Sequence, residues 1–147
     1  MKLSRTVSYA LQAALQLAQS DTSLPVPCSQ LAAEGKMPER FLLQILRNLV
    51  AHGILESTRG VDGGYMLGRP AEEISLLEVI EAIDGPQTPA LPLGEGLPEE
   101  SRNKLEKAIG GLTAGVRKEL DAIKLASLLP SPRTGALAGA DHRPHAL

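Results

Sequence analysis

The sequence predicts a mainly α-helical fold with one small β-hairpin and a long C-terminal helix. Three observations lead to this prediction. Apolar residues recur at helical spacing in the first 52 residues, a glycine-rich segment then joins two short strand-like runs, and a second stretch of helical spacing begins at Glu99. The chain has 147 residues, the length of one ordinary domain or of a small domain with an appended helix.

Two helices are predicted in the first 35 residues. The first spans residues 4 to about 19, because apolar side chains recur there in steps of three or four: Leu3, Val7, Leu11, Ala14 and Ala18. Pro25 and Pro27 limit the following residues to a short extended piece. A short second helix over residues 29–34 then ends at Gly35.

A third helix is predicted from Pro38 to about His52. Proline is favoured in a first helical turn, and the charge of Glu39 suits a helix N-terminus. We expect its apolar residues to form one wide buried stripe: Phe41, Leu42, Ile45, Leu46, Leu49 and Val50.

The opposite stripe of the third helix carries Arg40, Gln44 and Arg47, with Leu43 beside it. After this helix, residues 54–58 and 65–68 are predicted to be two short strands. Three glycines lie in the connecting loop, which reads Arg59-Gly60-Val61-Asp62-Gly63-Gly64. Glycines permit positive φ and a close backbone approach to a partner.

A fourth helix, a loop and a long helix follow. Ser75 and Glu78 match a capping box at the start of a helix over residues 76–83. Residues 85–98 contain four prolines and three glycines, so we expect an irregular loop. The long helix is predicted over residues 99–128, and residues 129–147 are predicted to be a disordered tail.

The apolar face of the long helix repeats every 3.6 residues on average. Its members are Leu105, Ile109, Leu112, Val116, Leu120 and Ile123. This face can pack on the N-terminal domain, on a second copy of the chain, or on both, and we expect it to mediate dimerisation. The pair Gly110-Gly111 indicates a kink or a close helix crossing.

Three helices followed by a glycine-rich hairpin is the element order of a winged helix-turn-helix over residues 1–84. In that fold the third helix enters the major groove and the hairpin contacts phosphates or the minor groove. Arginine can bond guanine and glutamine can bond adenine, so we expect Arg40 and Gln44 to read bases. Arg47, one turn later, is expected to hold a phosphate, and Arg59 to enter the minor groove.

The charge distribution and the amino-acid composition exclude several classes of function. Residues 1–60 carry six basic and four acidic side chains, a formal charge of +2, whereas the whole chain has −2. With only three aromatic residues, a stacking platform for single strands is not expected. We expect no membrane span and a cytoplasmic location. We also expect no catalysis, because no nucleophile–base set or carboxylate pair stands out in the sequence.

Residues 1 to about 86 resemble the Rrf-two family of bacterial winged-helix transcriptional regulators, which includes IscR and NsrR. The most specific match is the run Arg59-Gly60-Val61-Asp62-Gly63-Gly64-Tyr65-Met66-Leu67, which follows the pattern Arg-Gly-x-x-Gly-Gly-Tyr-x-Leu. Other matches are residues 3–10, Pro25-Val26-Pro27, residues 41–46 and residues 74–85.

The resemblance implies DNA contacts at Pro38, Arg40, Gln44 and Arg59, and a long helix that crosses its copy in a homodimer. We expect the rest of the DNA-contacting surface to comprise Lys2, Ser4, Arg5, Glu39, Leu43, Arg47 and Gly60. The chain departs from the cluster-binding members, which carry three cysteines before the long helix, because residues 85–97 contain none. We therefore expect no iron–sulfur cluster and no other cofactor.

Cys28 is the single cysteine and lies just before the predicted second helix. A helix N-terminus can lower a thiol pKa, so Cys28 is a candidate redox sensor, and the alternative is a small core residue. His142 and His145 have ligand-like spacing but lie in the predicted tail, so no metal site is expected.

These observations predict a homodimeric repressor that binds a palindromic operator in double-stranded DNA. The alternative is a winged-helix interaction module that does not bind DNA, which the acidic residues between 72 and 100 would favour. No motif in the sequence identifies an effector.

Overall fold

A computed structural model describes residues 2–20, 23–87 and 91–131. Its elements confirm the expected fold class of helices with one two-stranded antiparallel hairpin. In chain order they are α1 (Arg5–Gln19), α2 (Cys28–Gly35), α3 (Glu39–Ala51), β1 (Leu55–Thr58), β2 (Gly64–Leu67), α4 (Leu76–Asp84), α5 (Glu99–Ala122) and a 3-10 turn (Leu125–Leu128). None of the described helices is both long and apolar enough to cross a bilayer. The predicted tail 129–147 falls almost wholly on residues 132–147, which lie outside the described part.

Helix α1 lies at the centre of the N-terminal domain and contacts α2, α3, α4 and β2. Its core face is made of small side chains, and Ala10, Ala13 and Ala14 are completely buried. Alanine projects only a Cβ atom, so neighbouring elements can approach the α1 backbone closely. Buried leucines of α3 belong to the same core: Leu42, Leu46 and Leu49.

The helix-turn-helix is formed by α2 and α3. Lys36 ends α2 in the left-handed conformation with φ 55°, and buried Met37 donates its backbone N–H to the carbonyl of Ala32 at 2.9 Å. The Gln12 amide of α1 donates to the carbonyl of Gly35 at 2.8 Å. These bonds hold the turn so that α3 begins at Glu39.

The hairpin pairs Leu55 with Leu67 and Thr58 with Gly64. The linker before α2 lies against it, because Val26 and Tyr65 exchange both backbone hydrogen bonds at 2.8 Å. A Cβ on Gly64 would lie 2.5 Å from the Val26 carbonyl oxygen, so only glycine permits this approach.

Helix α4 begins with the predicted capping box, in which Ser75 and Glu78 satisfy each other's backbone N–H groups. Arg69 forms a 2.6 Å ion pair with the same Glu78. Arg117 of α5 pairs with Glu81 of α4, which links the long helix to the domain.

The long helix ends at Ala122, earlier than the predicted end near residue 128. The backbone of residues 123–126 instead pairs with residues 71–76: Leu76 donates to Ile123, Leu125 donates to Ile74, and Ala126 donates to Ala71. Leu125 is 0% exposed and belongs to the main core. Tertiary pairing thus overrides the helical period of the last six residues.

Leu125→Ala should lower the free energy of unfolding by about 2–5 kcal/mol, because it leaves a cavity in the core. Leu128→Ala, in the same 3-10 turn but 45% exposed, should cost about 1 kcal/mol or less. Urea unfolding followed by circular dichroism measures both. Equal losses would show that the C-terminal segment does not pack as described.

Candidate DNA-binding surface

The exposed face of α3 carries the predicted base-reading residues. Arg40, Gln44 and Arg47 are all exposed, and Leu43 beside them is half-buried. The opposite face of the same helix is buried. Among the described residues, the Gln44 amide makes only a long 3.5 Å hydrogen bond to Asn48, and neither arginine takes part in an ion pair. The polar groups of this face are therefore available to a partner.

The N-terminal turns of α1 lie beside α3. Together they line a groove of about 480 Å³, which we call the α1–α3 groove. Its lining residues are Arg5, Thr6, Tyr9, Pro38, Phe41, Gln44, Ile45 and Asn48. The structure thus places Arg5, Pro38 and Gln44 on one continuous surface, and their contact with DNA stays a prediction.

Ser4 already has an intramolecular role. Its hydroxyl caps α1 by accepting from the Val7 N–H at 3.2 Å, and it donates to the Asp84 carboxylate at 3.2 Å. A DNA contact by Ser4 stays a prediction, as does one by the exposed Lys2.

The hairpin and the start of α3 lie at the same end of the domain. Tyr65 pairs with Val26, two residues before Cys28, and the Cys28 thiol donates to the carbonyl of Glu39 at 3.8 Å. Arg59 and Gly60 follow β1 in the hairpin turn, where both are exposed and Gly60 has φ 110°. The structure therefore brings Arg59 and the first turn of α3 to one end.

The pKa of the Cys28 thiol differs from the prediction. The thiol is half-buried, and this burial raises its pKa above the usual value, with the Glu39 carboxylate adding to the effect. The prediction of a lowered pKa is wrong, because desolvation and the neighbouring Glu39 carboxylate both disfavour the thiolate.

Phe41 lies on this surface, although the periodicity of α3 predicts it in the buried stripe. It is 64% exposed and lies in the α1–α3 groove. The helix turns about 100° per residue, so Phe41 lies at the edge of the buried stripe. Its neighbours three and seven residues later, Gln44 and Asn48, are polar, and this signal could have placed it on the surface.

The apolar face of α5 is divided between two environments. Leu120 is buried on its own domain, where it packs with Val7, Leu77 and Ile80, so its assignment to a dimer interface is wrong. Ile123 ends the helix and accepts the Leu76 N–H. The remaining members are half-buried Ile109 and three exposed residues: Leu105 (39%), Leu112 (68%) and Val116 (42%).

Comparison with known proteins identifies the class. The profile of the Rrf2 family, described as iron-dependent transcriptional regulators, matches residues 3–131. The chain belongs to the Rrf2 family. An HTH-type transcriptional regulator of Mycobacterium tuberculosis is 36% identical over 130 residues, which cover 87% of this chain and 81% of that protein.

Two further relatives of this Rrf2 protein agree. The regulator IscR of Cronobacter sakazakii is 36% identical over 84 residues, 57% of this chain and 52% of that protein. The structure of CymR, the global cysteine regulator of Bacillus subtilis, has a TM-score of 0.72 at 26% identity and covers 87% of this chain and 95% of that one. The Rrf2 protein is thus a DNA-binding transcriptional regulator with a winged-helix fold, and not an enzyme.

The family description implies iron, but the donor set of this Rrf2 protein does not fit an iron–sulfur cluster. Cluster irons take thiolate ligands, and the whole sequence has one cysteine. In the part of the chain that the structure describes, no three His, Cys, Asp or Glu side chains gather at a metal site. His142 and His145 lie outside the described residues.

The rate at which iodoacetamide alkylates Cys28 should depend on pH with a midpoint above that of the urea-unfolded chain. Alkylation requires the thiolate, and burial keeps the folded thiol protonated to higher pH. Glu39→Gln should move the midpoint down, since it removes a repulsive charge. A folded midpoint below the unfolded one would restore Cys28 as a reactive sensor.

Proposed function

We propose that this Rrf2 protein binds as a homodimer to a palindromic operator, with α3 in the major groove and the hairpin along the adjacent backbone or minor groove. The observation that supports this proposal is the exposed row of Arg40, Gln44 and Arg47 on α3, with Arg59 at the same end of the domain. Arrays of this kind read base edges and hold phosphates.

The residues of the proposed surface differ in how deeply they enter the major groove. Arg40 and Gln44 lie in the first half of α3, which enters deepest, so they contact guanine and adenine edges. Arg47, one turn later, holds a phosphate. At the α1 end, Arg5 and Lys2 add phosphate contacts, and Pro38, Glu39 and Leu43 flank the reading face.

Arg59 extends this surface from the hairpin. Arg59 is exposed and, among the described residues, takes part in no ion pair. Gly60 follows it, and the Gly60 backbone N–H is not shielded by a side chain. An arginine in this position suits a narrow, electronegative minor groove. The local positive charge matters because the whole chain is acidic, with a net charge of −2.

Helix α5 supports the proposed pairing with a second copy of the chain. Leu105, Leu112 and Val116 form an exposed apolar row along α5. A row of this kind on a helix matches a coiled-coil-like pairing with an identical helix. A two-fold dimer presents two copies of α3, and these match two half-sites about one helical turn or a multiple of it apart. Repression stays a prediction of the sequence.

Arg59→Ala should weaken operator binding by roughly 1–3 kcal/mol and reduce sequence discrimination, if Arg59 contacts a base edge. Arg40→Ala/Arg59→Ala should remove specific binding. Mobility shifts on promoter fragments, including the protein's own promoter, measure both variants.

The matched control for the double variant is Lys104→Ala/Lys107→Ala, which removes the same charge from exposed positions of α5 and should leave binding nearly unchanged. Wild-type affinity should also fall steeply as salt rises, because several phosphates are contacted. Unchanged binding by the arginine double variant would refute the proposed surface.

Leu112→Glu/Val116→Glu should convert the dimer to a monomer, because each helix would then bring two buried negative charges to the interface. Light scattering after size exclusion measures the mass. Lys107→Glu, a charge change at an exposed position off the apolar row, should leave the dimer intact. A wild-type chain with the mass of one copy at micromolar concentration would rule out α5 pairing.

A further inference from the structure

Phe41 is an apolar side chain within a polar reading surface. It is the only phenylalanine of the chain and lies in the first turn of α3, between Arg40 and the turn that carries Gln44. Phe41 is 64% exposed, and it lines the α1–α3 groove with Tyr9 and Ile45. Apolar surface grouped in a groove, unlike a single exposed side chain, indicates a contact site.

The position of Phe41 couples it to Gln44. Residues three apart on a helix are surface neighbours with Cβ atoms about 5–6 Å apart. Successive base pairs along the duplex are about 3.4 Å apart. A side chain beside Gln44 therefore reaches the same base pair as Gln44 or the next one.

The chemistry of the ring selects what it can touch. A phenyl group offers no donor or acceptor, so it binds neither a phosphate nor the polar edges of the bases. In the major groove, thymine alone presents a methyl group, and phenylalanine is one of the side chains that contact it. If Gln44 reads an adenine, its base pair already contains a thymine.

We propose that Phe41 is a specificity-determining residue that contacts the C5-methyl group of a thymine at or next to the base pair read by Gln44. This inference rests on the proposed function, because it requires α3 to lie in the major groove. It adds an apolar reading element to Arg40 and Gln44, and it makes the operator half-site prefer an A·T pair at that position.

Replacement of single thymines by deoxyuridine tests the proposal, because it removes the methyl group and keeps the base pair. The probe is a duplex selected from a random pool by the wild-type protein, and the affinity is measured by fluorescence anisotropy. At one thymine per half-site, the replacement should weaken wild-type binding about three- to fivefold, the effect of one buried methyl group. Phe41→Ala should bind more weakly and should not distinguish thymine from deoxyuridine there.

Gln44→Ala is the matched control from the same surface. It should also bind more weakly, yet it should still distinguish thymine from deoxyuridine, because its Phe41 is intact. Thermal unfolding checks that each variant is folded, and the exposure of both side chains predicts little loss of stability.

Two results would overturn the proposal: a wild-type protein indifferent to deoxyuridine at every thymine, or a Phe41→Ala variant as sensitive as the wild type. Both leave the proposed function standing, because the selected duplex is still bound. If the wild-type protein selects no duplex at all, the proposed function fails, and the reading by Phe41 fails with it.

Discussion

The end of the domain that carries the hairpin and the start of α3 depends on one backbone pairing, the two hydrogen bonds between Val26 and Tyr65. A two-stranded hairpin alone is marginally stable, and this third segment anchors it. Gly64 makes the approach possible, since a side chain there would collide with the Val26 backbone. Two residues later Cys28 contacts Glu39, so the pairing also sets the hairpin against the start of α3. The two elements of the proposed DNA-binding surface consequently share one support.

Helix α1 serves both the core and the surface. Its alanine face allows the other elements to surround it, and its first turns carry Arg5 and Tyr9 to the groove beside α3. Ser4 joins this end to α4 through Asp84. The start of α1, where we propose a DNA contact, is therefore connected through this hydrogen bond to the helix that precedes the loop and α5.

Helix α5 is divided by what it packs against. Its last turns lie on the domain through Leu120, and the Arg117–Glu81 ion pair fixes that arrangement. The middle of the helix keeps an exposed apolar row. The loop before α5 contains no cysteine, and the half-buried Cys28 thiol has a raised pKa. An iron–sulfur signal through this loop does not match the chemistry of its residues.

The sequence by itself determined the order of the helices, the hairpin, the capping box at Ser75 and the polar face of α3, because these depend on local spacing and turn chemistry. The family resemblance, which the comparison confirmed, rested on the same local runs. Tertiary structure alone decided the fate of residues whose environment comes from distant segments. Phe41 is exposed because Leu42, Ile45 and Leu49 already fill the core side of α3, and periodicity does not show where a buried stripe ends. The α5 helix stops at Ala122 because residues 71–76 offer backbone partners. The pKa of Cys28 rises because folding buries the thiol and brings Glu39, eleven residues later in the chain, against it.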